Sequence, residues 1–197
     1  MEEVLVSIQD NVFTITLNRP DRKNAMDTGL LVGLLRALEN AQRERANIIV
    51  IRGSGKAFCA GGDLVEFKES ADPGARIDAM ADTLHKSIRM IREIDAIVIS
   101  VIEGVAVGAG IGLALACDIT LAAKDSIMNM GYRRIGLTPD GGGSIFLPRL
   151  IGAKKFNELY LLSRNVDMGE AKELGLVNLV CEGGELEERL QSIIKEL

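Results

Sequence analysis

The chain has no tryptophan, two tyrosines and five phenylalanines among its 197 residues. So few flat side chains leave little for nucleic-acid bases to stack on. The net charge of −5 comes with no basic stripe, so nucleic acid is excluded as a partner. Histidine occurs once, at His85, inside a segment of helical spacing that suits a solvent-facing or packed side chain. A Ser-His-Asp triad would have to use it, and no G-x-S-x-G turn accompanies it. Cysteine occurs three times, at Cys59, Cys117 and Cys181, an odd number at wide spacing. That pattern reads as buried reduced thiols, and no Cys/His cluster suggests a metal. Met1-Glu2-Glu3 has no basic n-region and no long apolar run, so no signal peptide is read there. The most apolar long stretch, 96–123, carries Glu103, Asp118 and four glycines, a load that argues against a membrane span. No membrane partner is expected, and the compartment reads as cytoplasmic.

The length suits one domain, 1–197, with a real core, and a hydrophobic content of 47% with 26% charged residues is ordinary for a globular protein. Val4–Ile8 and Asn11–Leu17 alternate apolar and polar as a hairpin, followed by a loop from Asn18 to Asn24. Asp27 can cap a helix reaching about Arg45, with Leu30, Leu31, Leu34, Leu35 and Leu38 on one face. Ile48–Ile51 reads as a buried strand. A helix after Pro73 runs to about Ile94 with Met80, Leu84, Ile88 and Ile91 as its stripe. Strand Ala96–Ile102, helix Gly108–Ala116 and strand Asp118–Ala122 follow. Helices are expected at Ser144–Leu150, Lys154–Leu162 and Met168–Leu174, a strand at Leu176–Val180 and a terminal amphipathic helix at Leu186–Leu197. Strands alternating with helices indicate an α/β fold with a largely parallel sheet.

Two glycine-rich turns stand out. Lys56-Ala57-Phe58-Cys59-Ala60-Gly61-Gly62-Asp63-Leu64 follows one apolar strand, and the segment from Glu103 to Gly112 follows another. Each exposes backbone N–H groups with little side chain around them, and the second opens a helix. Brought together, two such turns could hold one developing negative charge, as an oxyanion hole does. Nucleotide motifs fit poorly. In Gly108-Ala109-Gly110-Ile111-Gly112 the third glycine comes one residue early for a dinucleotide fingerprint, and Leu113 stands in its place. Gly53-Ser54-Gly55-Lys56 lacks the spacer of a phosphate loop and continues with Ala57 instead of Ser or Thr.

These turns and their neighbours resemble the crotonase superfamily, also called the enoyl-CoA hydratase/isomerase family. Asn18-Arg19-Pro20 with Asn24-Ala25-Met26 is similar to its N-R-P-x-x-x-N-A entrance. Residues 57–64 are similar to A-F-x-A-G-x-D-L, and 104–118 to G-x-A-x-G-x-G-x-x-L-A-x-x-C-D, with Ala109 inside the usual glycine triplet. Gly136-Leu137-Thr138-Pro139, Leu147-Pro148-Arg149-Leu150-Ile151-Gly152 and 171–177 extend the match over nearly the whole chain. The resemblance implies a ClpP/crotonase-like spiral of ββα units binding an acyl-CoA thioester. Coenzyme A would enter as part of the substrate, with no separate cofactor. The resemblance places the hole at the N–H groups of Gly62 and Ala109, and substrate contacts at Lys23, Ala25, Ala60, Gly62, Asp63, Leu64, Ala109 and Tyr132. It also implies a homotrimer or hexamer, with the family's C-terminal helical segment shortened or absent here.

The chain departs from the family's hydratases at both of their glutamates. The position three residues beyond Ala109 is Gly112, and the position before the G-x-x-P turn is Tyr132. Without those carboxylates water lacks a general base and the α-carbon lacks its acid. Asp140 remains, in Gly136-Leu137-Thr138-Pro139-Asp140-Gly141-Gly142-Gly143, which resembles the G-L-x-P-D-x-G-G of the superfamily's enoyl-CoA isomerases. There the aspartate is the proton shuttle. Burial beside an apolar acyl pocket is expected to raise its pKa, while a turn or N-cap role before the next helix is the structural alternative. Tyr132 reads equally as a pocket hydroxyl or a packed aromatic. Asp63 and Asp118 match family positions that organise loops. Lys23 and Lys56 could meet the phosphates of coenzyme A or stay solvated. Three functions stay open: an isomerase using Asp140, a hydratase-like lyase with unusual acid–base groups, and a thioester-binding protein that has lost catalysis.

Overall fold

Asp10 and Asn11 both take positive φ, 49° and 65°, the pair a two-residue type I′ hairpin needs. They join β1 (Val4–Gln9) to β2 (Val12–Leu17) in register Gln9 to Val12. The computed structural model describes residues 2–182 and 184–197. Asp27 caps α1 (Thr28–Arg43) by accepting the N–H of Leu30 at 2.8 Å. β3 (Ile48–Gly53), α2 (Leu64–Glu69), α3 (Pro73–Glu93) and β4 (Ile97–Ile102) follow. Next come β5 (Val105–Val107), α4 (Ala109–Ala116), β6 (Ile119–Ala123) and β7 (Ile127–Asn129). α5 (Gly143–Leu162) breaks at Gly152, where φ is 75° and ψ 158°, so its two halves answer to the two helices expected there. β8 (Val166–Asp167), α6 (Met168–Glu173), β9 (Leu179–Cys181) and α7 (Leu186–Glu196) complete the order.

The larger sheet has six strands in the order β1-β2-β3-β4-β6-β9, parallel after the first pair. Its side chains alternate between two cores. Ile49, Ile51, Val98 and Ile102 face the packed helices α1, α3 and α4, while Ile48, Val50, Ile99 and Val101 face Leu186, Leu190 and Ile193 of α7. The smaller sheet runs β5-β7-β8, and a bridge from Cys59 to Ala106 ties the β3–α2 loop to its edge. β4–β5–α4 and β6–β7–α5 each place one strand in either sheet before a helix, which is the expected spiral of ββα units in an α/β fold.

Several details differ from the sequence reading. β5 interrupts the segment read as one long turn, and β7 and β8 were not expected, because strands of two or three residues carry no period to read. The last strand begins at Leu179 rather than Leu176, since Leu176 and Val177 are buried before pairing with β6 starts. Leu35 is only half-buried, and Ala37 and Ala41 complete the inner face of α1 instead.

Candidate functional site

The two glycine turns lie side by side. The N–H groups of Phe58 and Cys59 both donate to the Val105 carbonyl, at 3.1 and 3.0 Å, and Val107 N–H returns a bond to Cys59 at 2.9 Å. Two peptide units then fix the direction of two donors. The Gly61 carbonyl accepts the Met26 N–H at 2.7 Å, and with the Gly61–Gly62 peptide trans the N–H of Gly62 must point the opposite way. Likewise the Gly108 carbonyl accepts Ile111 N–H at 3.0 Å along α4, so the Ala109 N–H points back out of the helix's first turn. Among the described residues neither N–H appears in a loop, turn or side-chain hydrogen bond, and both residues line one cavity of about 340 Å³.

The cavity is walled mainly by apolar side chains, among them Met26 from the loop before α1, Phe67 from α2, and Met80 and Leu84 from α3. Asp140 is the only carboxylate that lines it among the described residues. Its Oδ1 accepts the Tyr132 hydroxyl at 2.7 Å, and its main-chain oxygen lies 3.4 Å from the same hydroxyl. Of the alternative roles, the helix cap is not taken up, since the N-cap of α5 is Gly142 and no side chain caps it, while the turn is, its first carbonyl being that of Asp140. Tyr132 is buried, at 5% exposure. Burial, then the charge and hydrogen bond of Asp140, push its phenol well above the ordinary tyrosine range, so it stays a neutral donor.

The loop after Asp140 explains the missing side chain at position 112. Gly141 and Gly142 take φ of 52° and 82°, and the Gly143 N–H closes onto the Asp140 carbonyl at 2.8 Å. This turn packs against α4 so closely that a Cβ on Gly112 would stand 2.7 Å from the Gly141 carbonyl carbon and 3.1 Å from the Gly143 nitrogen. Any side chain there would meet backbone, which cannot rotate aside.

Ala60, Gly62, Leu64, Ala109, Tyr132 and Asp140 thus meet around one cavity. Lys23, Ala25 and Asp63, expected to touch substrate by resemblance, do not line it. Lys23 is exposed and contributes its carbonyl, which accepts Ala60 N–H at 3.0 Å and so holds the first turn. The Ala25 carbonyl accepts a guanidinium N–H of Arg19 at 2.6 Å. Asp63 turns away to ion-pair with Arg19 at 2.9 Å and to cap α2 through Val65 N–H at 2.9 Å. Burial alone would raise its pKa, but the Arg19 and Val65 hydrogen bonds and the Arg19 charge together hold it below the usual carboxylate value.

Asp118 is likewise structural, accepting Val98 N–H at 2.9 Å and pairing with Arg92. Lys56 and His85 are exposed, and all three cysteines are free and buried. Met26, Phe67, Met80 and Leu84 were missed as cavity wall. Met80 and Leu84 were legible only as a helix stripe, which burial already accounted for. Among the described residues no group of three or more metal-type side chains occurs, and no helix is long and apolar enough to cross a membrane.

A family model described as Enoyl-CoA hydratase/isomerase matches residues 7–197. The Bacillus subtilis (strain 168) protein YhaR is 36% identical over 90% of this chain and 69% of its own length. The 1,2-epoxyphenylacetyl-CoA isomerase of Escherichia coli (strain K12) is 31% identical over 100% of this chain and 76% of its own. Among solved structures, an enoyl-CoA hydratase from Bacillus anthracis superposes with a TM-score of 0.92 at 31% identity, covering 98% of this chain and 76% of that one. A Thermobifida fusca YX protein in complex with acetoacetyl-CoA superposes with a TM-score of 0.89 at 30% identity, covering 99% and 80%.

Proposed function

The chain belongs to the enoyl-CoA hydratase/isomerase family, and from that premise we propose that it is an enoyl-CoA isomerase with Asp140 as its proton shuttle. The acetoacetyl-CoA bound by the Thermobifida fusca relative supports a thioester as the ligand. In this reading the thioester oxygen sits between the N–H groups of Gly62 and Ala109. Asp140 takes a proton from the α-carbon, and the electron pair moves onto the thioester oxygen as an enolate. The two fixed donors stabilise that charge, an effect of about 3 kcal/mol per donor in comparable sites. Asp140 then returns the proton to the γ-carbon, and the double bond settles next to the thioester.

The observation that carries this reading is that one carboxylate, Asp140, lines the cavity among the described residues, together with both outward-pointing amides. A hydratase needs a second acid–base group to orient and split water. At Gly112 the backbone of Gly141 fills the space for one, and at Tyr132 a buried phenol stands instead.

Incubation with 3-enoyl-CoA and with 2-enoyl-CoA in deuterated water tests the reading. Double-bond migration with deuterium gained at the γ- or α-carbon is expected. A 3-hydroxyacyl product would assign a hydratase, and tight thioester binding with neither migration nor exchange would assign a binding protein.

A further inference from the structure

Asp140 has one side-chain partner among the described residues, the Tyr132 hydroxyl. The phenol is itself held firmly. Tyr132 N–H donates to Met130 at 2.7 Å, its carbonyl accepts Leu137 N–H at 3.1 Å, and its ring packs against the second glycine turn, 3.7 Å from where a Cβ on Gly108 would stand. The carboxylate rides on a turn of three glycines, Gly141 to Gly143, pressed against α4 at Gly112. A rigid donor therefore meets an aspartate whose backbone is fixed and whose side chain has no other hydrogen-bond partner among the described residues.

We propose that Tyr132 is a positioning residue: its hydroxyl occupies Oδ1 of Asp140, so that Oδ2 alone faces the acyl chain and carries the proton. The proposal rests on Asp140 as the isomerase's shuttle. In the first half-reaction the α-carbon–hydrogen bond breaks, an Oδ2–H bond forms and the electron pair moves to the thioester oxygen. In the second the Oδ2–H bond breaks, the old β,γ double bond supplies the pair for the new γ-carbon–hydrogen bond, the enolate's carbon–carbon double bond moves to the α,β position and the pair on oxygen re-forms the thioester carbonyl. Tyr132 keeps its own proton throughout and only orients the acceptor.

Few other charges face the pair. Arg134 lines the same cavity, with its guanidinium bonded to the Ser163 carbonyl at 2.6 Å. Cys59 lies near Tyr132, and burial pushes its thiol up to about 12, so it is uncharged. α3 presents Leu84 and Ile88 to the Gly141–Gly142 turn, while its His85, Lys86 and Arg89 are exposed. α4 contributes Ala109 and Gly112, and α5 contributes Phe146, none of them ionisable.

The test compares the wild type with Tyr132→Phe, Asp140→Asn and the double variant, using 3-enoyl-CoA with kcat and KM measured separately. Tyr132→Phe should lower kcat about ten- to hundredfold with KM little changed. The double variant should be no slower than Asp140→Asn alone. Replacement of Tyr132 by 3-fluorotyrosine, nearly isosteric and still a hydroxyl donor, should keep kcat close to that of the wild type and provides the readout if the phenylalanine variant misfolds. A wild-type kcat in folded Tyr132→Phe, or a 3-fluorotyrosine protein as slow as Asp140→Asn, with Asp140→Asn inactive, overturns the positioning role and leaves the shuttle standing. Full turnover by Asp140→Asn overturns the shuttle itself.

Discussion

Gly112 and Gly141 pack backbone to backbone, so close that a Cβ on the first would stand 2.7 Å from the carbonyl carbon of the second. Position 112 is where the resemblance places one glutamate of the family's hydratases. In this fold that space belongs to the turn that carries Asp140. A glutamate at 112 and the turn that carries Asp140 would compete for one volume, and in this chain the turn occupies it.

Gly112→Glu should therefore not create a hydratase. The new side chain has to displace the 140–143 turn, which costs about 1–3 kcal/mol by overpacking. Denaturant titration should show that loss of stability, and product analysis should show isomerisation falling with no 3-hydroxyacyl-CoA gained. Hydration appearing at unchanged stability would contradict the packing argument.

Ala109 is the first residue of α4, where proline is tolerated because its missing N–H has no helical partner. Ala109→Pro should keep the melting temperature within a few degrees while deleting one of the two donors. Loss of such a donor lowers kcat about a hundred- to a thousandfold. Steady-state kinetics beside a thermal melt checks both halves, and a full kcat would remove Ala109 from the hole.

Asp63 links stability to pH. Its pKa is lowered in the folded chain, so its contribution is present above the ordinary aspartate value and is lost as pH falls through the folded one. Asp63→Ala removes the cap of α2 and one of the carboxylates around Arg19, which keeps Asp27 at 2.9 Å. The expected cost is about 1–3 kcal/mol at pH 7, shrinking below about pH 4. Chemical denaturation at several pH values would measure it.

Burial raises the Cys59 and Cys117 thiols to about 12 and also pushes up Cys181. A thiol reagent at pH 8 should find almost no reactive cysteine in the native protein and three after unfolding. The unfolded thiols ionise near pH 9 while the native ones do not, so stability should fall as pH rises from about 9 towards 12. Rapid labelling of the native chain would contradict the burial.

What could be read in the sequence follows from what leaves a period or a turn signal. The Leu stripe of α1, the Met80–Ile91 stripe of α3 and the apolar runs of β3 and β4 are each long enough to repeat. β5, β7 and β8 exist by pairing with one another, which one chain's pattern does not display. α2 spans six residues, under two turns, although Asp63 followed by Glu66 is a capping-box spacing. That glutamate instead binds the Thr28 N–H at 2.8 Å, a contact 38 residues away in sequence. Both glycine turns were legible because backbone donors need small neighbours. The Tyr132–Asp140 bond was not, since it joins a single 3-10 turn, Tyr132–Ile135, to a loop residue eight positions on, and neither is long enough to show a period.

The central claim is that Asp140 moves the proton, and Asp140→Asn assayed with 3-enoyl-CoA in deuterated water tests it most directly. The substitution is nearly isosteric and leaves an acceptor for the Tyr132 hydroxyl, so the melting temperature and thioester affinity should hold. Double-bond migration and deuterium incorporation should both fall by about a thousandfold or more. Migration and exchange at the wild-type rate in a folded Asp140→Asn protein would contradict the account.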